Sequence, residues 1–189
     1  MECLFIMIYI FTGNGKGKTT AAIGTGIRAV GAGLKVLMVK FMKEKGVSSE
    51  DNILDEIQNF DLYTFGRKGF YLPKKMLEEN PELKKHFKLF EDIDYKFAEE
   101  GFNFVKEKVK SKAYDLYILD EICVALNFKL LNIDHVKDFL LKNKEKNDFI
   151  LTGRNCPESI IVIADLITEM REIKHPFEKG IKAKKGIDY

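Results

Sequence analysis

The sequence predicts an α/β fold, a single three-layer domain on a mainly parallel sheet. Short apolar runs rich in Ile, Leu, Val and Phe alternate with segments of helical periodicity. The runs are apolar almost throughout, as strands covered on both faces are. The length of 189 residues gives one well-buried core and is short for two. With no internal repeat, low-complexity tract or linker, residues 1–189 are expected to form one domain.

Cys3 to Phe11 is the expected first strand. No basic residue precedes it and a glycine–lysine loop follows it, unlike a signal peptide. The run is also too short to cross a bilayer. Residues 12–18 form a loop. Thr19 to about Val30 reads as a helix carrying the small residues Ala21, Ala22, Gly24 and Gly26, and Gly31 and Gly33 stop it. Lys35 to Phe41 is the second strand, 42–58 a polar loop with a short amphipathic piece, and Asp61 to Phe65 a third strand. Gly66 to Met76 is expected to be irregular. Asn80-Pro81-Glu82 combines a capping Asn, a first-turn Pro and an acid near the positive end of the dipole. One helix is therefore predicted from there to about Lys112, with Leu83, Phe87, Phe90, Phe97, Val105 and Val109 facing the core and Gly101 weakening its middle. Asp115 to Asp120 is a strand, Ile133 to about Asn143 a helix and Asp148 to Thr152 a strand. Pro157 opens a short helix to Ala164, and Leu166 to Ile173 supplies a last strand.

Lys and Arg total 31 against 29 Asp and Glu, a net charge of +2. That balance argues against a nucleic-acid glove. Cys3, Cys123 and Cys156 are odd in number and form no C-x-x-C pair, so neither a disulfide framework nor a zinc site is indicated. A reducing cytoplasm is the simplest home.

The chemistry collects beyond the carboxyl ends of the strands, where open parallel sheets bind ligands. Thr12 to Thr20 reads T-G-N-G-K-G-K-T-T. It resembles the phosphate-binding pattern G-x-x-x-x-G-K-[ST], but Thr12 stands where the first glycine belongs. Between an apolar strand and a helix, such a loop turns backbone N–H groups toward phosphate. The candidate phosphate-binding residues are Gly13, Asn14, Gly15, Lys16, Gly17, Lys18, Thr19 and Thr20. Lys18 meets phosphate charge, the Thr19 hydroxyl reaches Mg²⁺, and Lys16 adds a second cation. The plain alternative is a glycine-rich turn with solvated lysines. Asp120 and Glu121 end an apolar strand, where a carboxylate can hold Mg²⁺ directly or through water; a helix cap with an acidic first turn is the alternative. Thr19, Asp120 and Glu121 are the expected metal ligands. Arg154, on the same edge, is placed to clamp a phosphate unless it forms a surface ion pair. Arg28 lies on another helix face. His175, before Pro176, reads as structural, and the basic C-terminal stretch either lines an anionic site or is solvated.

The loop, together with R-A-V-G, L-D-E-I, L-T-G-R, A-D-L-I-T-E-M, K-H-P-F and the terminal G-I-K-A-K-K-G-I-D-Y, resembles the P-loop type of ATP:corrinoid adenosyltransferase. The resemblance runs from Phe5 to Tyr189 and is loosest over 42–115. It implies a P-loop NTPase fold of the RecA-like type, with ATP reversed so that triphosphate leaves. It implies that corrinoid Co(I) attacks the ribose 5′-carbon, with ATP, Mg²⁺ and a corrinoid as the small molecules; the loop residues and Arg154 are then ATP-binding, and Lys18, Thr19 and Glu121 the catalytic set. A reduced flavoprotein donor and a homodimer are also implied, with no nucleic-acid or membrane partner. The family's Gly-Phe-x-Trp apolar wedge falls on Phe70, Tyr71 and Leu72, with leucine in the tryptophan position. An N-terminal segment that folds over the site in some relatives has no counterpart ahead of the first strand. Two rivals use the same loop: an ordinary P-loop ATPase or phosphotransferase, releasing ADP or phosphate, and a nucleotide-switched binding module without turnover.

Overall fold

The chain in the computed structural model is described for residues 7–175 and 183–187. Its frame is a six-stranded sheet in the order β3-β2-β6-β7-β1-β8. The strands are β1 (Ile8–Thr12), β2 (Val36–Phe41), β3 (Phe60–Phe65), β6 (Leu116–Asp120), β7 (Asp148–Thr152) and β8 (Leu166–Glu169). Every neighbouring pair is parallel. All six strands therefore end on one edge. The expected residues 3–6 of the first strand lie outside the described residues.

Helices cover both faces because the inner strands are apolar on both. On one face α1 (Lys18–Gly31) and α2 (Glu50–Leu54) join Val36, Met38, Phe60, Leu62 and Ile118 in one cluster. On the other, α4 (Asp92–Lys110), α5 (Ile122–Asn127), α6 (Ile133–Asn143) and α7 (Glu158–Ile161) pack on Leu37, Val39, Phe41, Tyr117 and Leu119. β2 and β6 are buried at every position, as central parallel strands should be.

The structure corrects the reading of 66–112 in two places. The segment expected to be an irregular loop contains β4 (Tyr71–Leu72) and α3 (Lys74–Glu79). The helix predicted from Asn80 is a 3₁₀ turn over Pro81–Lys85, followed by β5 (Lys88–Leu89). β4 and β5 form a separate parallel pair, in which Lys88 N–H donates to the Phe70 carbonyl at 2.8 Å and Phe90 N–H to that of Leu72 at 3.2 Å. Those bonds draw residues 88–90 out of any helix. The long helix starts afresh at a capping box, where Glu91 N–H donates to Asp94 Oδ2 at 2.8 Å. Its buried face is Ala98, Phe102, Val105 and Val109, so Leu83, Phe87 and Phe90 belong to other elements. α5 was not foreseen.

Gly101 has a packing reason. A Cβ there would lie 2.9 Å from the Phe65 ring and 3.1 Å from that of Phe41, so α4 sits too close to β2 and β3 for a side chain. Gly101→Val is expected to cost about 1–3 kcal/mol by overpacking, measured by urea unfolding. Gly101→Val at wild-type stability would show that α4 has slack against the sheet.

Candidate active site

Thr12 ends β1, and the loop enters α1 through Gly17, whose φ of 114° is left-handed. The loop is braced from outside. Gly15 N–H donates to the Met170 carbonyl at 2.6 Å, and Met170 N–H to that of Thr12 at 2.8 Å. Glu172 N–H donates to Asn14 Oδ1 at 3.0 Å. A Cβ on Gly13 or Gly15 would approach the Met170 carbonyl oxygen to 2.5 or 2.7 Å, so both positions exclude a side chain. The brace uses the Gly15 N–H. Lys18 is buried and donates to the carbonyls of Gly13 at 2.9 Å and Gly15 at 2.6 Å. Burial, followed by the neighbouring charge of Arg154, lowers its pKa below the ordinary lysine value. Lys16 is exposed and donates to the Ile187 carbonyl at 2.5 Å, which brings the C-terminal turn to the loop. Thr20 is exposed in the first turn of α1, and Arg28 is exposed at its far end. A cleft of about 550 Å³, lined in part by Gly13, Asn14, Asn155 and Arg171, opens beside the loop.

The carboxylates meet the loop through β7, which lies between β1 and β6. Asp120 is fully buried. Its Oδ1 accepts from the hydroxyls of Thr19 and Thr152, both at 2.7 Å. Its Oδ2 accepts from Lys43 Nζ at 3.0 Å, and Glu121 Oε1 lies 3.7 Å from the same ammonium. Thr152 also accepts from Glu121 N–H at 3.0 Å, so one hydroxyl fixes two neighbouring acids. Glu121 sits at φ 62°, an uncommon conformation that turns it off the strand at the start of α5. Burial raises the Asp120 pKa, but the Lys43 charge and the two hydroxyls outweigh it, so the group stays below the usual carboxylate value. Glu121 is raised, mainly by burial and then by Asp120, against the opposing pull of Lys43.

Thr19, Asp120 and Glu121 thus converge as an oxygen-donor set. Among the described residues no cluster of three His, Cys, Asp or Glu could hold a metal. Two carboxylates and a hydroxyl suit Mg²⁺, which takes few protein ligands and fills its shell with phosphate and water. Arg154 is exposed, but close enough for its charge to act on Lys18 and Glu121. Sequence reasoning gave no role to Thr152, although a hydroxyl at a strand end before a glycine is a readable signal. It also missed Lys43, which lies in a polar stretch with no motif.

Phe70 is 72% exposed and meets Phe87 edge-on with ring centroids 6.1 Å apart. Tyr71 and Leu72 are buried. The Tyr71 hydroxyl donates to the Lys68 carbonyl at 2.9 Å, and its ring stacks with Phe90. The Arg67 guanidinium lies 4.1 Å from the Tyr71 ring centroid and forks onto both Asp94 oxygens at 2.9 and 2.6 Å. The Arg67–Asp94 pair therefore ties Tyr71 to the first turn of α4.

A parallel sheet, a glycine–lysine loop entering a helix, and a hydroxyl and two carboxylates at the strand ends define a P-loop nucleotide-binding protein. The sequence profile of the family described as ATP:corrinoid adenosyltransferase BtuR/CobO/CobP matches residues 6–189, and the chain belongs to that family. It is similar to the corrinoid adenosyltransferase of Escherichia coli K12, 34% identical over 97% of this chain and 85% of that one. It is similar to corrinoid adenosyltransferase CobA of Salmonella typhimurium, 33% identical with the same coverage. A corrinoid adenosyltransferase from Sinorhizobium sp is 32% identical over 97% of this chain and 80% of its own.

The depressed Asp120 pKa carries a stability consequence. An acid held below its unfolded value contributes stability above that value, here 3.8, and loses it as pH falls through the folded pKa. Thr152→Val removes one donor to Asp120 and leaves the Glu121 N–H without its acceptor. It is expected to cost about 1–3 kcal/mol at pH 7. In urea unfolding the deficit should shrink as the pH drops toward and below 3.8. A pH-independent deficit would mean that Thr152 does not act through Asp120.

Proposed function

We propose that this protein transfers the 5′-deoxyadenosyl group of ATP to the Co(I) centre of a corrinoid and releases triphosphate. The observation that carries the proposal is the meeting of the shortened, braced loop with the Thr19–Asp120–Glu121 set in a chain that this family matches from 6 to 189. The cobalt electron pair forms the Co–C5′ bond while the C5′–O bond breaks, and the C5′–O bonding pair leaves on the triphosphate. No proton transfer is required, so catalysis rests on positioning and on charge at the leaving group.

Lys18 exchanges its loop carbonyls for phosphate oxygens, and Lys16 gives up the Ile187 carbonyl in the same way. Loop N–H groups other than that of Gly15 supply further donors. Thr19, Asp120 and Glu121 hold Mg²⁺, which when bound offsets charge on the leaving phosphates. Arg154 clamps a phosphate from the β7 side. Phe70 is the wedge residue that meets the corrinoid and displaces its lower axial ligand; exposure favours it over Tyr71 and Leu72, which act by support.

The proposal extends to one adenosyltransferase domain over 1–189, a homodimer, a reduced flavoprotein as electron donor and a cytoplasmic setting. The exposed Val162, Leu166 and Ile167 at the open sheet edge favour self-association. The free thiols of Cys123 and Cys156 suit a reducing compartment. No helix of the described residues is long and apolar enough to cross a membrane. The near-balanced charge suits small-molecule rather than nucleic-acid partners.

The test mixes protein, Mg²⁺, ATP and chemically reduced cob(I)alamin without oxygen. A light-sensitive adenosylcobalamin spectrum with one triphosphate per turnover is expected. Unchanged corrinoid with ADP and phosphate would replace the reading with an ordinary P-loop ATPase. Phe70→Ala should lower the rate about tenfold or more, or about 1.4 kcal/mol, when cob(II)alamin must first be reduced by a flavoprotein. With preformed cob(I)alamin it should lose much less. Equal losses in both assays would remove the wedge role.

A further inference from the structure

The carboxylate pair already faces a cation of the protein's own. Lys43 lies 3.0 Å from Asp120 Oδ2 and 3.7 Å from Glu121 Oε1. Its place is built by the backbone. Met42, which follows β2, has φ 61°, and its N–H donates to the Phe65 carbonyl at 2.8 Å. A Cβ on Gly66 would lie 2.4 Å from Lys43 N, so the two chain segments touch.

The neighbouring cations are engaged elsewhere. Lys40 pairs in register with Asp120 but reaches the other way, to Asp51 at 2.6 Å and Glu50 at 2.9 Å. Lys18 is held by loop carbonyls. Asp120 Oδ1 is saturated by two hydroxyls, which leaves Oδ2 and the Glu121 carboxylate for any incoming cation. Lys43 holds both.

We propose that Lys43 is an exchangeable internal counter-ion. Its ammonium competes with free divalent cation for the carboxylate pair. It yields the pair when a divalent cation binds, and where that cation arrives with nucleotide it moves onto the phosphate chain as a further ligand of the triphosphate. The inference rests on the reading of Thr19, Asp120 and Glu121 as metal-holding. An ammonium and a divalent cation on the same two oxygens would repel strongly in this buried setting. Two carboxylates outnumber one ammonium, whereas a divalent cation matches their charge, and the exchange frees a positive charge. Lys43 is 27% exposed, and its flexible stem leaves a path to the phosphate side.

The experiment uses Mn²⁺ and inorganic triphosphate, followed by the resonance signal of free Mn²⁺. Lys43→Met is expected to bind Mn²⁺ alone about tenfold tighter, and Mn²⁺–triphosphate about tenfold more weakly, than wild type. Unchanged or weaker binding of Mn²⁺ alone, or unchanged binding of the triphosphate complex, would overturn the proposal. Amine acetylation of the wild-type protein, read at Lys43 by mass spectrometry, gives an answer even if that variant folds poorly. Labelling should be low without metal, rise with Mn²⁺ and fall again with Mn²⁺–triphosphate. Constant labelling in the three states overturns the exchange. Glu121→Gln must weaken Mn²⁺ binding; if it does not, the metal-site reading itself fails. No corrinoid or turnover enters, so failure of adenosyl transfer and failure of this exchange are read separately.

Discussion

The site depends on one buried carboxylate. Asp120 is fully enclosed, and a charge there is tolerable only because every partner it has belongs to a different element. Thr19 comes from the first turn of α1, Thr152 from the end of β7 and Lys43 from the segment after β2. Removing one partner leaves charge uncompensated in the core. The same hub that makes the metal-holding edge chemically useful therefore also holds loop, sheet and β2 extension in mutual register.

Strain gathers around that hub. Met42 at φ 61° and Glu121 at φ 62° directly follow β2 and β6, and left-handed backbone is uncommon for such residues. Each turns the chain off its strand, and together they bring Lys43 and Glu121 to one point. Conformations of this kind persist where surrounding structure over-determines them. Here the parallel hydrogen bonding of the strands and the hydroxyl of Thr152 do so. Gly13 and Gly15 have a different origin: the Met170 segment lies against them and leaves no volume for a side chain.

Much of this was legible in the sequence because the signals were local. Apolar runs marked the six main strands, and T-G-N-G-K-G-K-T-T fixed the loop between β1 and α1. D-E at a strand end and T-G-R at another put Asp120, Glu121 and Arg154 on one edge. The region 66–112 failed because long-range pairing overrode local propensity: the β4–β5 bonds capture residues that read as helical. Lys43 was hidden for a related reason. Nothing near it in sequence signals a carboxylate 77 positions away. Thr152 was visible only as part of a string, since its role requires knowing that β7 lies between β1 and β6.

The bracing of the phosphate loop bears on the order in which this protein is made. The loop follows β1, yet among the described strands β1 pairs with β7 and β8, which lie far later in the chain. Its Gly15 and Asn14 are tied down by Met170 and Glu172. A nascent chain still lacking those residues has no neighbour for its first strand and no mould for its loop. The loop is thus translated well before its own brace, and its shape is set only once the Met170 segment has been made and has docked against it.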